Sequence, residues 1–391
     1  MPTAAARRAY RGPALFSFGF RPFFLFGAAW SALVVPLWVW SFLAGGPGAL
    51  SRDWHVHEML FGFLAAVVAG FLTTAVPNWT GRMPVIGAPL GGLVALWTAG
   101  RLAMLFEAEL GPVAAAVDSA FLIAFAAVVW REVLAGRNWR NLAVCVLVSL
   151  LALANVAFHL GAALWDDGAG ERLALGAACV LIALIGGRIT PSFTRNWMKV
   201  RRMEPQPALP GRLDQAALGL TGLGAALWAV LPLSPATGAA LALAGAANLI
   251  RLVRWRGWAT RSEPLVWILH VGYAWLGVGL AFLGAAVLLP DLVPRTAGVH
   301  ALTAGAVGVM TLAVMTRASR GHTGRDLAAD ASTTLIYLAV NLAAVLRLAA
   351  PFAGLLQPDL LMASAAAWTA AFGGFAVAYG RMLVRPRPAA A

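Results

Sequence analysis

Apolar runs of about twenty residues, long enough to cross the ~30 Å hydrocarbon core of a bilayer, recur along the chain between short polar segments. No polar segment has the length of a soluble domain. The pattern therefore predicts an all-α integral membrane protein, a single polytopic domain over 1–391, with a cytoplasmic connector at about 191–212. We expect twelve transmembrane helices, at 22–44, 57–78, 88–106, 111–130, 141–163, 172–190, 213–231, 237–252, 264–289, 296–316, 332–350 and 360–382.

Composition and charge fit this class. The 391 residues are 61% hydrophobic and only 12% charged, which excludes a water-soluble domain. Most of the 29 basic residues fall in every second loop, so the positive-inside rule predicts that both termini lie in the cytoplasm. This topology explains the net charge of +13 without a nucleic-acid partner, and the partner that remains is the lipid bilayer.

One stretch of the chain is repeated. Laid over each other without gaps, His57–Arg82 and His300–Arg325 both begin with His and end in Thr-Gly-Arg, and Gly62 falls on Gly305. Two related helices thus each carry an imidazole at the same depth. Paired imidazoles are axial ligands for haem iron, so we expect His57 and His300 to bind one haem.

The remaining histidines suggest a second metal. His55 and His57 are two residues apart, so on a continuous helix they point about 200° from each other and serve different partners. His55 with His159, also near the outer end of its helix, is the expected ligand set for copper or a second haem. His270 and His322 lie toward the inner face and are candidates for a separate inner metal site.

Several other polar residues lie inside the predicted spans. Glu58 is placed to orient a ligand imidazole. Arg101 and Arg347 are expected to pair with haem propionates, although arginines near helix ends also snorkel to the interface without a ligand. Asp118 is a candidate proton relay or, equally, a structural hydrogen-bonding group.

Four motifs resemble the NnrS family, in the family's order and over almost the whole chain: 16–24 (FSFGFRPFF), 55–62 (HVHEMLFG), 186–196 (GGRITPSFTRN) and 321–325 (GHTGR). The resemblance implies a polytopic protein of the bacterial inner membrane that contains haem b and copper and acts in the nitric-oxide or nitrosative-stress response. It supplies no reaction. Nitric oxide as ligand or substrate, quinol as electron donor and a membrane oxidoreductase activity are all compatible with it.

The architecture also resembles the core subunit of haem–copper oxidases, which has twelve helices in three arcs of four and haem ligands on the second and tenth. His57 and His300 fall on the second and tenth predicted spans. Those oxidases carry three copper-ligating histidines on their sixth and seventh helices, and this chain has none there. An oxygen-reducing centre of that kind is therefore not expected, and the shared architecture does not define the function.

Two other functions fit twelve apolar helices. A secondary transporter with internal repeats would bind its substrate at mid-depth, would depend on Asp118 and Arg251, and would not require the outer histidines. A haem or metal chaperone for respiratory enzymes would use the same ligands as a redox protein but would release its metal readily.

Overall fold

The computed structural model describes residues 10–46, 50–161, 166 and 168–387, and all regular elements in these ranges are helical. Twelve helices are long and apolar enough to cross a membrane, which makes the chain a multi-pass membrane protein. They are α1 (Phe20–Ala44), α2 (Arg52–Thr80), α3 (Ala88–Leu105), α4 (Pro112–Ala135), α5 (Trp139–Leu160), α6 (Ala169–Val200), α7 (Arg212–Val230), α8 (Pro235–Val253), α9 (Pro264–Leu288), α10 (Arg295–His322), α11 (Ala331–Phe352) and α12 (Gly354–Val384).

Each predicted span corresponds to one of these helices, but the connector is shorter than predicted. α6 does not end near residue 190; it continues as a helix to Val200, with Pro191 inside it. This last part of α6 buries Gly187, Thr190, Thr194 and Met198 at intervals of three or four residues. Such spacing puts polar and small residues on one packed face, so the polar composition that predicted a loop belongs to an amphipathic helix end.

Three of the helices form the centre of the bundle. Each helix packs against the next along the chain, and α12 packs against α1 and closes the ring. α2, α6 and α10 also contact one another, and their most apolar windows are 78%, 67% and 78% buried, against at most 50% for the other helices. Central helices four places apart in the chain fit a plan of three arcs of four helices.

The three central helices share a departure from α-helical geometry. A π-helical segment follows His57 in α2 (Glu58–Leu64), another follows His300 in α10 (Ala301–Val307), and a shorter one lies in α6 (Ile182–Gly186). Short π-helical segments are uncommon and concentrate at functional sites, where the wider turn redirects side chains. The sequence repeat therefore corresponds to a repeated backbone feature directly below two histidines.

Candidate metal centres

A buried network of charged side chains joins α2, α3 and α4. Glu58 and Asp118 are both bonded to Arg101: Nη1 donates to the two Glu58 oxygens at 3.2 and 3.3 Å, and Nη2 donates to Asp118 Oδ1. All three side chains are at most 3% exposed. Trp30 Nε1 of α1 donates to Glu58 Oε2 at 2.7 Å, and Asn155 Nδ2 of α5 donates to Asp118 Oδ2 at 2.7 Å. Buried charges lose their hydration, and several hydrogen bonds and ion pairs are needed to offset that cost.

Two histidines complete this network. The His57 ring has Nδ1 3.0 Å from Glu58 Oε1 and Nε2 2.9 Å from Asp118 Oδ2, while His159 Nε2 lies 3.0 Å from the same Asp118 oxygen. One ligand atom each from His57, Asp118 and His159 lies within 4.8 Å of the others, so this group could hold a metal ion. Glu58 is on the far nitrogen of His57, the position from which a carboxylate orients a ligand imidazole.

The formal charges of this buried network do not balance. Glu58 and Asp118 carry two negative charges and Arg101 carries one positive charge, so the buried group is one positive charge short of neutrality. A bound cation would supply that charge. Two imidazoles and one carboxylate suit copper, zinc or iron.

Glycine at two positions makes room for the network. A Cβ on Gly62, inside the π-helical segment, would lie 2.5 Å from Arg101 Nη1 and 2.8 Å from Glu58 Oε2. A Cβ on Gly100 would lie 2.9 Å from Asp118 Oδ1. The turn also directs the Gly62 carbonyl toward Trp97, whose Nε1 donates to it at 2.9 Å. Backbone and side chains are thus fitted to each other at this site.

A cavity of about 920 Å³ lies on the other side of α2, at the end of the bundle predicted to be the outer one. Its walls come from α1, α2, α6, α10, α11 and α12. Apolar side chains line much of it, including Val39, Leu60, Phe63, Val307 and Trp368. The volume is at the upper end of the ~300–1,000 Å³ typical of cofactor and ligand pockets, so a large, mostly apolar ligand fits.

His55 and His300 both line this outer cavity. The His300 Nδ1–H donates to the Thr296 carbonyl at 2.8 Å, which leaves Nε2 as an acceptor with a fixed ring orientation. The His55 ring stacks on Trp38 with centroids 4.2 Å apart, and its buried Nδ1 has no hydrogen-bond partner in the described part of the chain. Each ring is held in place and retains a nitrogen suited to a metal.

Four arginines also line the outer cavity: Arg52, Arg172, Arg295 and Arg347. Two are already paired, Arg52 with Glu171 at 2.5 Å and Arg172 with Asp166 at 2.6 Å. The Arg172 guanidinium holds the pKa of the Asp166 carboxyl below its usual range, chiefly through that hydrogen bond. Arg347 forms no ion pair with any residue that the structure describes, so its guanidinium is free for an anionic ligand group.

The pairing of the histidines differs from the sequence prediction. His55 and His57 do face opposite sides of α2, but His55 shares the outer cavity with His300, and His57 lies with His159. Arg101, expected beside a haem propionate, is instead bonded to two carboxylates away from that cavity. The helical angle between His55 and His57 was predictable. Which neighbour each faces depends on how α2 is rotated between α1 and α4.

The inner histidines, His270 and His322, contact different side chains. His270 Nε2 lies 2.7 Å from Thr194 Oγ1 of α6, and the ring packs on Gly257. His322 lies against the rings of Phe18 and Phe20, with centroid distances of 6.0 and 5.5 Å. An inner metal site that uses both of these rings stays a prediction.

Sequence reasoning missed several members of both sites. Asn155 was detectable, because it precedes His159 by four residues and therefore shares its helix face. Trp30 and Trp275 of α9 are counterparts. Trp30 approaches Gly62, and Trp275 packs on Gly305, the residue that matches Gly62 in the repeat. Arg52, Arg172 and Arg295 looked like ordinary loop or helix-end charges, and only the fold gathers them at one cavity.

Comparison with known proteins identifies the family of this chain. No curated protein matches it. Among protein families, the one described as NnrS protein matches residues 14–387, nearly the whole chain. The match includes both clusters of histidines and all twelve helices. The resemblance found in the four motifs is thus confirmed, and the chain belongs to the NnrS family.

Proposed function

We propose that this protein is a redox metalloprotein of the bacterial inner membrane that acts in the nitric-oxide response, with haem b in the outer cavity and copper at His57, Asp118 and His159. Membership of the NnrS family supports the link to nitric oxide. The observation that carries the proposal is the outer cavity itself. It is a large, mostly apolar space with two oriented imidazoles and an arginine, Arg347, that has no ion pair among the described residues.

The residues of the outer cavity fit a haem. His55 and His300 would hold the iron, since each ring has an available nitrogen. Arg347 would pair with a propionate, and the apolar walls would enclose the porphyrin body. A haem held this way supplies one-electron redox chemistry next to the predicted outer surface.

The second site fits a smaller metal ion. His57 and His159 would supply nitrogen ligands and Asp118 an oxygen ligand, with Glu58 holding the His57 ring in place. A copper(I) ion with its single positive charge would neutralise the Glu58, Asp118 and Arg101 group. Nitric oxide would then be a ligand or substrate at the copper, or at the haem if it displaced one of the two imidazoles. Quinol would be a suitable electron donor from the bilayer.

The haem assignment is tested by reduced-minus-oxidised optical spectra of the detergent-purified protein. We expect a b-type band in the wild type, its loss in His55→Ala and His300→Ala, and its retention in His57→Ala. If His57→Ala loses the band while His55→Ala keeps it, the assignment of the two imidazoles of α2 is wrong. Arg347→Gln, which leaves both imidazoles, should weaken haem retention without removing the band.

The second metal is tested by elemental analysis of the same preparations. His159→Ala removes one ligand but leaves the Glu58, Arg101 and Asp118 ion pairs, so we expect loss of copper with the haem band intact. His270→Ala is the matched control, because that imidazole is also buried but contacts Thr194. Wild-type protein without haem and without copper would exclude the redox function and leave a transporter as the working hypothesis.

A further inference from the structure

A second, smaller cavity lies at the centre of the bundle, between the three central helices. We call it the axial gap. It has a volume of about 80 Å³ and is lined by residues of α2, α6 and α10 only. Phe71, Ile185 and Val314 line it and are only half-buried, although they belong to the three central helices. The three helices therefore do not close on one another here.

The axial gap has no polar group to offer a ligand. Its lining is aliphatic or aromatic apart from Gly186, Met310 and Thr311, and the Thr311 hydroxyl donates to the Gly308 carbonyl at 2.9 Å. A buried water needs two to four polar partners. A space of this volume would hold several water-sized molecules, since one needs only about 10–15 Å³ by the same measure. It is thus an apolar space that does not favour water.

The axial gap begins where the outer cavity ends. Val307 lines both spaces. On α2, Phe63 lines the outer cavity and the adjacent Leu64 lines the gap; on α6, Leu175 and Ala178 are related in the same way, one turn apart. The gap is therefore adjacent to the proposed haem space rather than a separate surface pocket.

At its other end the gap meets a contact between α6 and α10. About one turn beyond Ile189 and Val314, the Arg317 guanidinium lies 4.0 Å from the centre of the Phe193 ring. This cation–π contact joins the two helices on the predicted cytoplasmic side. The charged group therefore lies about one turn beyond the apolar lining of the gap.

We propose that the axial gap binds a small uncharged diatomic gas and delivers it from the apolar interior of the protein to the outer cavity. The size of the gap, its nearly apolar lining and its position next to the outer cavity all fit such a ligand. The identification of the physiological gas as nitric oxide rests on the proposed function. The binding of an apolar gas in the gap is independent of that function.

Xenon tests the site, because it occupies dry apolar cavities and requires no haem. The probe is xenon gas, applied under pressure to crystals of the full chain and detected by its anomalous signal. We expect xenon between α2, α6 and α10 in the wild type. Val314→Phe and, on a different helix, Val68→Phe place a ring in the gap and should each abolish that signal.

The matched control is Val345→Phe, the same change at an exposed position of α11, where xenon binding should persist. Absence of xenon from the wild-type gap, or its retention in the filled variants, would overturn the proposal. So would an acyl or detergent tail in the gap, since the space would then be a lipid site. If a variant fails to fold, the xenon signal in the wild-type crystals is sufficient to decide the question. A haem band that survives in Val314→Phe separates this result from failure of the haem assignment.

Discussion

Replacing Gly62 by Ala tests whether the buried network and the π-helical segment are fitted to each other. The added methyl group would lie 2.5 Å from Arg101 Nη1, 2.8 Å from Glu58 Oε2 and 3.1 Å from Trp30 Nε1. Distances under 3 Å force a neighbour to move. Arg101 is the flexible one, but its Nη1 is bonded to Glu58 and its surroundings are buried.

The size of the destabilisation follows from the contacts that the added methyl group would disturb. Weakening the Arg101–Glu58 hydrogen bonds costs about 1.5–3 kcal/mol, as is typical of bonds to charged groups. Exchange of Gly for Ala in a helix returns at most about 1 kcal/mol. We therefore expect Gly62→Ala to lower the free energy of unfolding by at least about 0.5–2 kcal/mol.

The assay is reversible unfolding of the purified protein in mixed micelles with increasing sodium dodecyl sulfate, followed by far-ultraviolet circular dichroism. Gly222→Ala in α7 is the control, because its methyl group would meet no atom within 4 Å. That variant should be as stable as the wild type or slightly more stable. If Gly62→Ala behaves like Gly222→Ala, the network tolerates a side chain there and the reasoning is refuted.

Three further predictions use the same unfolding assay or the optical spectrum. Arg101→Met leaves Glu58 and Asp118 buried without their cation and should destabilise the protein by about 3–5 kcal/mol; a loss below about 1 kcal/mol, as at a surface pair, would contradict this. Asp330 caps α11, so Asp330→Ala should cost about 1 kcal/mol. Burial raises the pKa of Asp330, but hydrogen bonds from the first turn of α11 and from an arginine lower it by a larger amount. The resulting pKa of Asp330 is therefore below the usual range. Its stabilisation is therefore complete above about pH 4 and is lost in stronger acid, a loss that the alanine variant should lack. Arg347→Gln should raise the rate of haem loss to apomyoglobin, whereas an unchanged rate would show that no propionate is bound there.

The sequence determined the membrane architecture. Twelve apolar runs predicted the twelve helices within a few residues at most ends, since in a bilayer the backbone must satisfy its own hydrogen bonds and only long apolar helices do so. The repeat around His57 and His300 placed two related helices second and tenth, and both lie at the centre of the bundle. The angle between His55 and His57 followed from helical geometry alone.

Tertiary structure decided which groups meet. The pairing of His55 with His300, and of His57 with His159, depends on the rotation of α2 about its axis and on the π-helical turns that follow both repeated histidines. The same holds for Arg101, whose partners lie on α2 and α4, forty-three residues before and seventeen after it. Apolar length and helical period are local properties of a sequence, whereas the choice of neighbour is set by packing between helices that are distant along the chain.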